Sequence, residues 1–150
     1  MHSSILIANS MLALAQKDKA ELTPLKLMKL VYLSHGWYLG EHKKSLIKEP
    51  MEAWQYGPVI RNLYQNIKEF GSSPIPYPLS DNEEIKLEPH QEKLLQKIYD
   101  YYGKFSAIKL STLTHESGSP WETTWNIYGK NGTISNDLIQ DFYEKQNFPQ

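Results

Sequence analysis

Residues 22–59 read LTPLKLMKLVYLSHGWYLGEHKKSLIKEPMEAWQYGPV, and this stretch decides the fold. Thr23 followed by Pro24 predicts the start of a helix, because a threonine hydroxyl can accept an unpaired backbone N–H and proline loses no hydrogen bond at the first helical position. Apolar or small side chains then recur every three or four residues, which predicts one buried stripe along a helix that reaches about Gly40. Gly36 lies inside this helix, where glycine is costly, and it therefore indicates close approach by another element.

The second half of the stretch predicts a short extended segment followed by a turn. Pro50 disfavours helical backbone in the residue before it, and the side chains of residues 51–56 alternate between the two sides of an extended chain. Gly57 and Pro58 are expected to stop this segment, and a third helix is expected to run from Val59 to Gly71. The sequence thus predicts at most one short β element, around residues 51–56.

Serine and proline residues at helix-start positions predict five further helices. The first three are expected to run from Ser3 or Ser4 to Lys17, from Pro89 to Gly103 and from Ser106 to Thr114. The fourth is expected to begin with a capping box formed by Ser119 and Glu122. The last is expected to be capped by Ser135 and to bury Leu138, Ile139 and Phe142. Gly103 is expected to close its helix in left-handed backbone. Trp121 and Trp125 lie four residues apart and are expected to anchor the core.

The predicted fold class is therefore mainly α, a compact bundle of about six or seven helices in a single domain over residues 1–150. Prolines at positions 74, 76, 78 and 89 prevent regular structure between residues 72 and 88, apart from room for a short strand near Ile85.

Composition narrows the functional classes. The chain has no cysteine, which excludes disulfides, thiol nucleophiles and thiolate metal sites. No apolar stretch approaches the length of a membrane span and the first residues lack a secretory signal, so we expect a soluble protein of the cytoplasm. Sixteen basic residues face seventeen acidic ones, which argues against a nucleic-acid partner because such proteins concentrate positive charge. The densest basic patch, Lys43, Lys44 and Lys48, is offset by Glu41 and Glu49 and is interpreted as a solvated loop.

Catalytic motifs are missing from the sequence. The chain has no zinc-protease histidine pair, no convincing serine nucleophile motif and no glycine-rich phosphate loop. His115 beside Glu116 is the pair that most suggests general-base catalysis. A histidine at the end of a helix is also stabilised by the helix dipole, however, so a structural role is the preferred interpretation. We therefore expect no enzyme, no cofactor and no metal site, and keep a small hydrolase or nuclease built on His35, His115 and Glu116 as an alternative.

Two separated blocks of the sequence resemble the Panacea domain family of SocA-like bacterial and phage antitoxins. The first block runs from Leu22 to Tyr64 and the second from Leu110 to Trp121. The resembling residues for which we expect a structural role are Thr23, Pro24, Lys29, Gly36, Trp37, Gly57, Pro58, His115, Ser119, Pro120 and Trp121. The chain departs from the family pattern at Met28 and at Arg61.

The resemblance implies an antitoxin that neutralises a proteinaceous toxin, encoded by an adjacent gene, through direct binding. One SocA-like branch is known as a protease adaptor, so delivery of a bound toxin to a cytoplasmic protease is the alternative. Aromatic residues near an arginine dominate many protein interfaces, although burial in the core is the competing interpretation for any single ring. We expect partner contact or support from Tyr32, Tyr38, Trp54, Tyr56 and Arg61.

Overall fold

The structure, a computed structural model, describes residues 1–80 and 86–149. This part of the chain contains seven α-helices and one small sheet. The helices are α1 (Ser4–Lys17), α2 (Pro24–His42), α3 (Arg61–Ile67), α4 (Pro89–Tyr102), α5 (Ala107–Thr114), α6 (Pro120–Tyr128) and α7 (Asn136–Glu144), and a 3-10 turn, Lys68–Phe70, extends α3. The strands are β1 (Met51–Trp54), β2 (Gly57–Val59) and β3 (Gly132–Ile134). The prediction of a mainly α bundle is confirmed, while the strand expected near Ile85 falls outside the described residues. No helix in the described ranges is both long enough and apolar enough to span a membrane.

The second helix forms the centre of the bundle. Every residue from Leu27 to Gly40 is buried, as expected for a helix surrounded by other elements. Helices α1, α4, α5 and α7 pack around it. Gly36 lies where α2 meets α7, and a Cβ at this position would lie 2.5 Å from the ring of Tyr143. One residue further along, the indole N–H of Trp37 donates to the Tyr102 hydroxyl at 3.1 Å. Close approach at Gly36 is thus as the sequence predicted.

The sheet is antiparallel, with β1 in the centre and β2 and β3 at its edges. Glu52 of β1 pairs with Val59 on one side and with Thr133 on the other. Gly57 has a φ of +116° and turns the chain back into β2, so it does not end the extended structure as predicted. Because Val59 belongs to the sheet, the third helix begins at Arg61 rather than at Val59.

Side-chain caps account for several helix starts. Ser3, Ser106, Ser119 and Ser135 each accept the backbone N–H of the residue three positions ahead, at 3.1–3.2 Å, and these four predicted caps are confirmed. Thr23 has the extended backbone of a cap, but its side chain makes no capping hydrogen bond. The predicted role of its hydroxyl is therefore wrong, and the helix start depends on Pro24.

Two helix faces or ends differ from the sequence prediction. Gly103 has a φ of −62° and continues the helical turn after α4, so the predicted left-handed end is wrong. On α7, Ile139 and Tyr143 are buried, while Leu138 and Phe142 are half-buried at the margin. The inward face of α7 is thus rotated toward Tyr143, because that ring fills the space beside the glycine of α2.

Candidate binding surface

The tip of the β1–β2 hairpin forms one wall of an open groove. Trp54 ends β1, and Tyr56 in the following turn has 67% of its surface exposed. The groove has a volume of about 600 Å³ and lies between the hairpin, the start of α2 and α3. Leu25 and Tyr64 add exposed apolar surface to it. Arg61 also lines it, so the structure brings Trp54, Tyr56 and Arg61 together at one surface.

A carboxylate holds the arginine and tryptophan side chains in place. The two oxygens of Glu52 accept hydrogen bonds from Nε and Nη2 of Arg61 at 3.0 and 2.8 Å, and one of them also accepts the indole N–H of Trp54 at 3.0 Å. Desolvation raises the pKa of Glu52, but the hydrogen bonds from Arg61 and Trp54 and the arginine charge lower the pKa overall. Tyr64 then packs edge-to-face on Trp54, with ring centres 4.8 Å apart. These contacts fix the orientation of both rings.

The hairpin backbone is held by hydrogen bonds from other parts of the domain. Four of its carbonyl oxygens accept a hydrogen bond from an element outside the hairpin. The four bonds are Asn131 N–H to Ala53 at 2.7 Å, Trp121 Nε1–H to Trp54 at 2.6 Å, Ser111 Oγ–H to Tyr56 at 2.6 Å and Lys29 Nζ–H to Pro58 at 3.0 Å. The turn that presents the exposed tyrosine is thus tied to α2, to α5 and to α6.

Lys29 is the unusual member of this set, because its side chain is fully buried. Burial lowers the pKa of Lys29 to about 7. A Cβ added to Gly57 would lie 3.0 Å from Lys29 Nζ and 3.3 Å from Thr114 Oγ1, and Gly57 also has positive φ. Glycine is therefore required at this position, both for the turn and to make room for the ammonium group.

A second apolar depression adjoins the groove. It has a volume of about 390 Å³ and shares Leu25 and Tyr56 with the groove. Its far wall is Ile108 of α5, which is 76% exposed. Large apolar side chains exposed side by side are typical of a surface that binds another protein.

The other two residues predicted to contact or support a partner are internal. Tyr32 is 1% exposed, and its ring packs edge-to-face on Tyr143 with centres 6.5 Å apart. Tyr38 is also buried, and its hydroxyl lies 3.1 Å from Nε2 of His90 and accepts a hydrogen bond from Gln91 at 3.2 Å. Neither tyrosine lines the groove.

The residues of the enzyme alternative lie in different settings. His35 is fully buried: Nδ1 accepts the backbone N–H of Ile47 at 3.3 Å, so Nε2 carries the proton and donates to Asn136 at 2.9 Å. Burial lowers the pKa of His35 to about 4, and this effect exceeds that of the hydrogen bond to Asn136, which raises the pKa. Within the described residues, no hydrogen bond or ion pair joins His35 to His115 or Glu116. Residues 1–80 and 86–149 also contain no group of three or more histidine or acidic side chains that could hold a metal ion.

The predicted structural residues around α6 form a stacked aromatic unit. His115 follows the last residue of α5 as its C-cap, and the centre of its ring lies 5.2 Å from that of Trp121. Trp121 and Trp125 stack with ring centres 4.9 Å apart. Ser119 caps α6, and Pro120 is its first residue and is buried. This unit supplies the indole N–H that holds the hairpin.

The sequence did not single out several residues of this surface. Tyr64 and Ile108 contribute exposed apolar area, and Lys68 and Lys130 line the groove. A signal existed for Tyr64, since it follows Arg61 by three residues and so lies on the same side of α3. The two lysines come from the 3-10 turn after α3 and from the turn before β3, and only the fold places both at one groove.

The residues that match known proteins include most of this surface. The family model described as "Antitoxin SocA-like, Panacea domain" matches residues 27–122. The protein named "Antitoxin SocA" from Caulobacter vibrioides is 27% identical over 134 residues, which are 83% of this chain and 71% of that protein. No solved structure matches the chain. The hairpin and its anchors on α2, α5 and α6 lie within the matched residues, and Lys130 lies beyond them.

Proposed function

This chain belongs to the SocA-like antitoxin family that carries the Panacea domain, and we propose on that basis that it is an antitoxin that neutralises a proteinaceous toxin by direct binding. The toxin is expected to be the product of an adjacent gene and to be bound in the cytoplasm. Direct binding requires no catalytic step. The buried His35 ring, with both nitrogens hydrogen-bonded, supports a role other than that of an enzyme.

The groove beside the hairpin is the observation that carries this proposal. Trp54, Tyr56 and Tyr64 offer rings at an open surface, and Arg61 is held beside them by its ion pair. Tryptophan, tyrosine and arginine are the residue types that most often dominate binding energy at protein interfaces. The Trp54 and Tyr64 rings pack on each other, and the backbone carbonyl of Tyr56 is hydrogen-bonded to Ser111, so less conformational freedom is lost on binding than with a mobile loop.

Tyr32 and Tyr38 are assigned a supporting role in this proposal. Both are buried in α2, one beside α7 and the other beside the start of α4. A change in either side chain would reach a partner only through the packing of the bundle. We therefore expect substitutions there to lower stability before they alter affinity.

Co-expression with the product of the adjacent gene tests the proposed function. Growth should stop when the neighbour is expressed alone and should recover when this protein is expressed with it. A neighbour that is harmless alone, or that stays toxic in the presence of this protein, would contradict the antitoxin role. If growth recovers, the half-life of the toxin separates two routes: masking leaves it unchanged, whereas delivery to a protease shortens it.

A pair of tyrosine variants tests whether the groove is the contact surface. Tyr56→Ala should weaken toxin binding by about 2 kcal/mol, which is about 30-fold in Kd by titration calorimetry. Tyr128→Ala is the matched control, because Tyr128 is 72% exposed against 67% for Tyr56 and lines a different pocket at the end of α6. Equal affinities for the two variants would show that the partner binds elsewhere.

A further inference from the structure

We propose that the groove receives a segment of the partner protein that is both acidic and apolar, with the acidic side chains paired to Lys68 and Lys130. This inference rests on the proposed function, since it describes the chemistry of the toxin surface that the groove would bind.

Charge is distributed unevenly at the groove. Its lining includes four basic residues, Lys29, Arg61, Lys68 and Lys130, and no aspartate or glutamate. The whole chain has a net charge of −1 at pH 7, so this local excess of positive charge is not a property of the surface in general. A partner segment with negative charge would therefore be favoured here over one with positive charge.

Two of the four cations are available to a partner. Arg61 is already paired with Glu52, and the Lys29 ammonium is buried against the Pro58 carbonyl. Lys68 and Lys130 are exposed, and neither makes an ion pair or side-chain hydrogen bond with any residue that the structure describes. They come from different elements, the 3-10 turn after α3 and the turn before β3. Carboxylates that bind to both would therefore be attached to a chain that crosses the groove.

Most of the groove surface beside these lysines is apolar, with Gln55 and Asn131 as its uncharged polar members. Met28 and Val59 lie at the base, and Trp54, Tyr56 and Tyr64 form the sides. Covering this surface with apolar side chains of a partner would be favourable, whereas uncharged polar side chains would find few hydrogen-bond partners there. The segment that fits is thus one in which acidic residues alternate with apolar or aromatic residues.

A nucleic acid is the competing occupant, because aromatic rings beside lysines can also bind single strands by stacking. Most of the affinity for nucleic acid comes from neutralising many phosphates. Two unpaired lysines supply few such contacts, and Glu52 is held beside the groove by Arg61. The geometry therefore favours the acidic peptide, and single-stranded DNA is a probe in the test.

The test uses the full chain and three fluorescein-labelled probes in anisotropy titrations. The probes are a nonapeptide that alternates glutamate with leucine or tryptophan, the same peptide with lysine in place of glutamate, and a single-stranded DNA nonamer. The groove variant is Lys68→Glu with Lys130→Glu. The control variant is Lys48→Glu with Lys93→Glu, which makes the same change in net charge at exposed lysines that do not line the groove. Circular dichroism and Tm establish that both variants are folded.

The acidic peptide should bind the wild type. Its Kd should be at least tenfold higher for the groove variant and should differ less than threefold from the wild-type value for the control variant. No binding of the acidic peptide, equal binding of the basic peptide, tighter binding of the DNA, or equal losses in the two variants would each overturn the inference. The same two variants are then tested in the co-expression assay. If the wild type and the groove variant protect equally well, the acidic segment is refuted while the antitoxin role stands. If the wild type fails to protect, the antitoxin role fails, whatever the peptide result.

Discussion

Lys29 carries an ammonium group in the interior, and replacing it with methionine is expected to stabilise the protein near neutral pH. The residue is fully buried, and its Nζ donates a hydrogen bond to the Pro58 carbonyl oxygen at 3.0 Å. Among the described residues no carboxylate forms an ion pair with this ammonium group, and desolvation by burial is the cause that lowers its pKa. Methionine keeps a flexible apolar side chain of similar length and removes the group that resists burial.

The size of the effect follows from the pKa of Lys29. Burial lowers this pKa from 10.5 to about 7, and each pKa unit corresponds to about 1.4 kcal/mol. At pH 7 the unfolded chain carries a charged Lys29 and the folded protein a half-charged one, so folding is opposed by about 4 kcal/mol at this residue. Methionine leaves the Pro58 carbonyl without its donor, which costs about 1–3 kcal/mol. The net expected gain for Lys29→Met is about 2 kcal/mol at pH 7.

The dependence on pH has a definite sign. Between about pH 7 and pH 10.5 the unfolded chain binds more protons at Lys29 than the folded protein does. The wild type therefore becomes more stable, relative to the variant, as the pH rises through this window. From pH 7 to pH 9 it should recover about 2 kcal/mol, so the two proteins should be of nearly equal stability at pH 9.

Urea unfolding followed by tryptophan fluorescence at pH 6, 7, 8 and 9 measures this difference. Lys93→Met is the matched control, because Lys93 is exposed on α4 and the same substitution there removes no buried ammonium group. The reasoning is refuted if the difference between wild type and Lys29→Met is the same at pH 7 and pH 9. It is also refuted if the variant is the less stable protein at pH 7, since the ammonium would then be better stabilised than its surroundings indicate.

Two further predictions concern the bundle. Gly36→Ala should lower the free energy of unfolding by about 1–3 kcal/mol, because the new Cβ would lie 2.5 Å from the Tyr143 ring; a change below about 0.5 kcal/mol in urea unfolding would mean that α7 shifts freely. Thr23→Ala should cost less than about 0.5 kcal/mol and Ser106→Ala about 1 kcal/mol, because only the serine side chain makes a capping hydrogen bond; equal losses of Tm for the two variants would contradict this difference.

The helices could be predicted from sequence because their signals are local. A serine such as Ser106 or Ser119 caps a helix through a hydrogen bond to a residue three positions away, so the pattern is visible in any short window. The sheet is different. Gly57 and Pro58 are typical of a turn or a stop, and they become a strand only because β1 lies beside them. Gly132 had no strand signal, and its partner in the sheet, Ala53, lies about half the chain away in the sequence.

The candidate site was predicted only in part, for a similar reason. Trp54, Tyr56 and Arg61 are near one another in sequence, so a local argument could group them. Lys68 and Lys130 are far apart in the sequence, and only the fold places both of them in the lining of one groove. The densest basic patch in the sequence, Lys43, Lys44 and Lys48, does not line the groove. The density of charge along the sequence therefore does not predict which basic side chains share a surface.

The two sequence blocks that carry the family resemblance meet at the β1–β2 hairpin. Lys29 comes from the first block and Ser111 and Trp121 from the second, and each donates a hydrogen bond to a hairpin carbonyl. These bonds fix the backbone before a partner arrives, so binding loses less conformational entropy than it would with a mobile loop. The side chains of Trp54 and Tyr56 take no part in holding that backbone through these bonds. Anchoring and contact are thus carried by different groups, and for that reason an exposed ring can be removed to measure its binding energy while the turn that presented it stays in place.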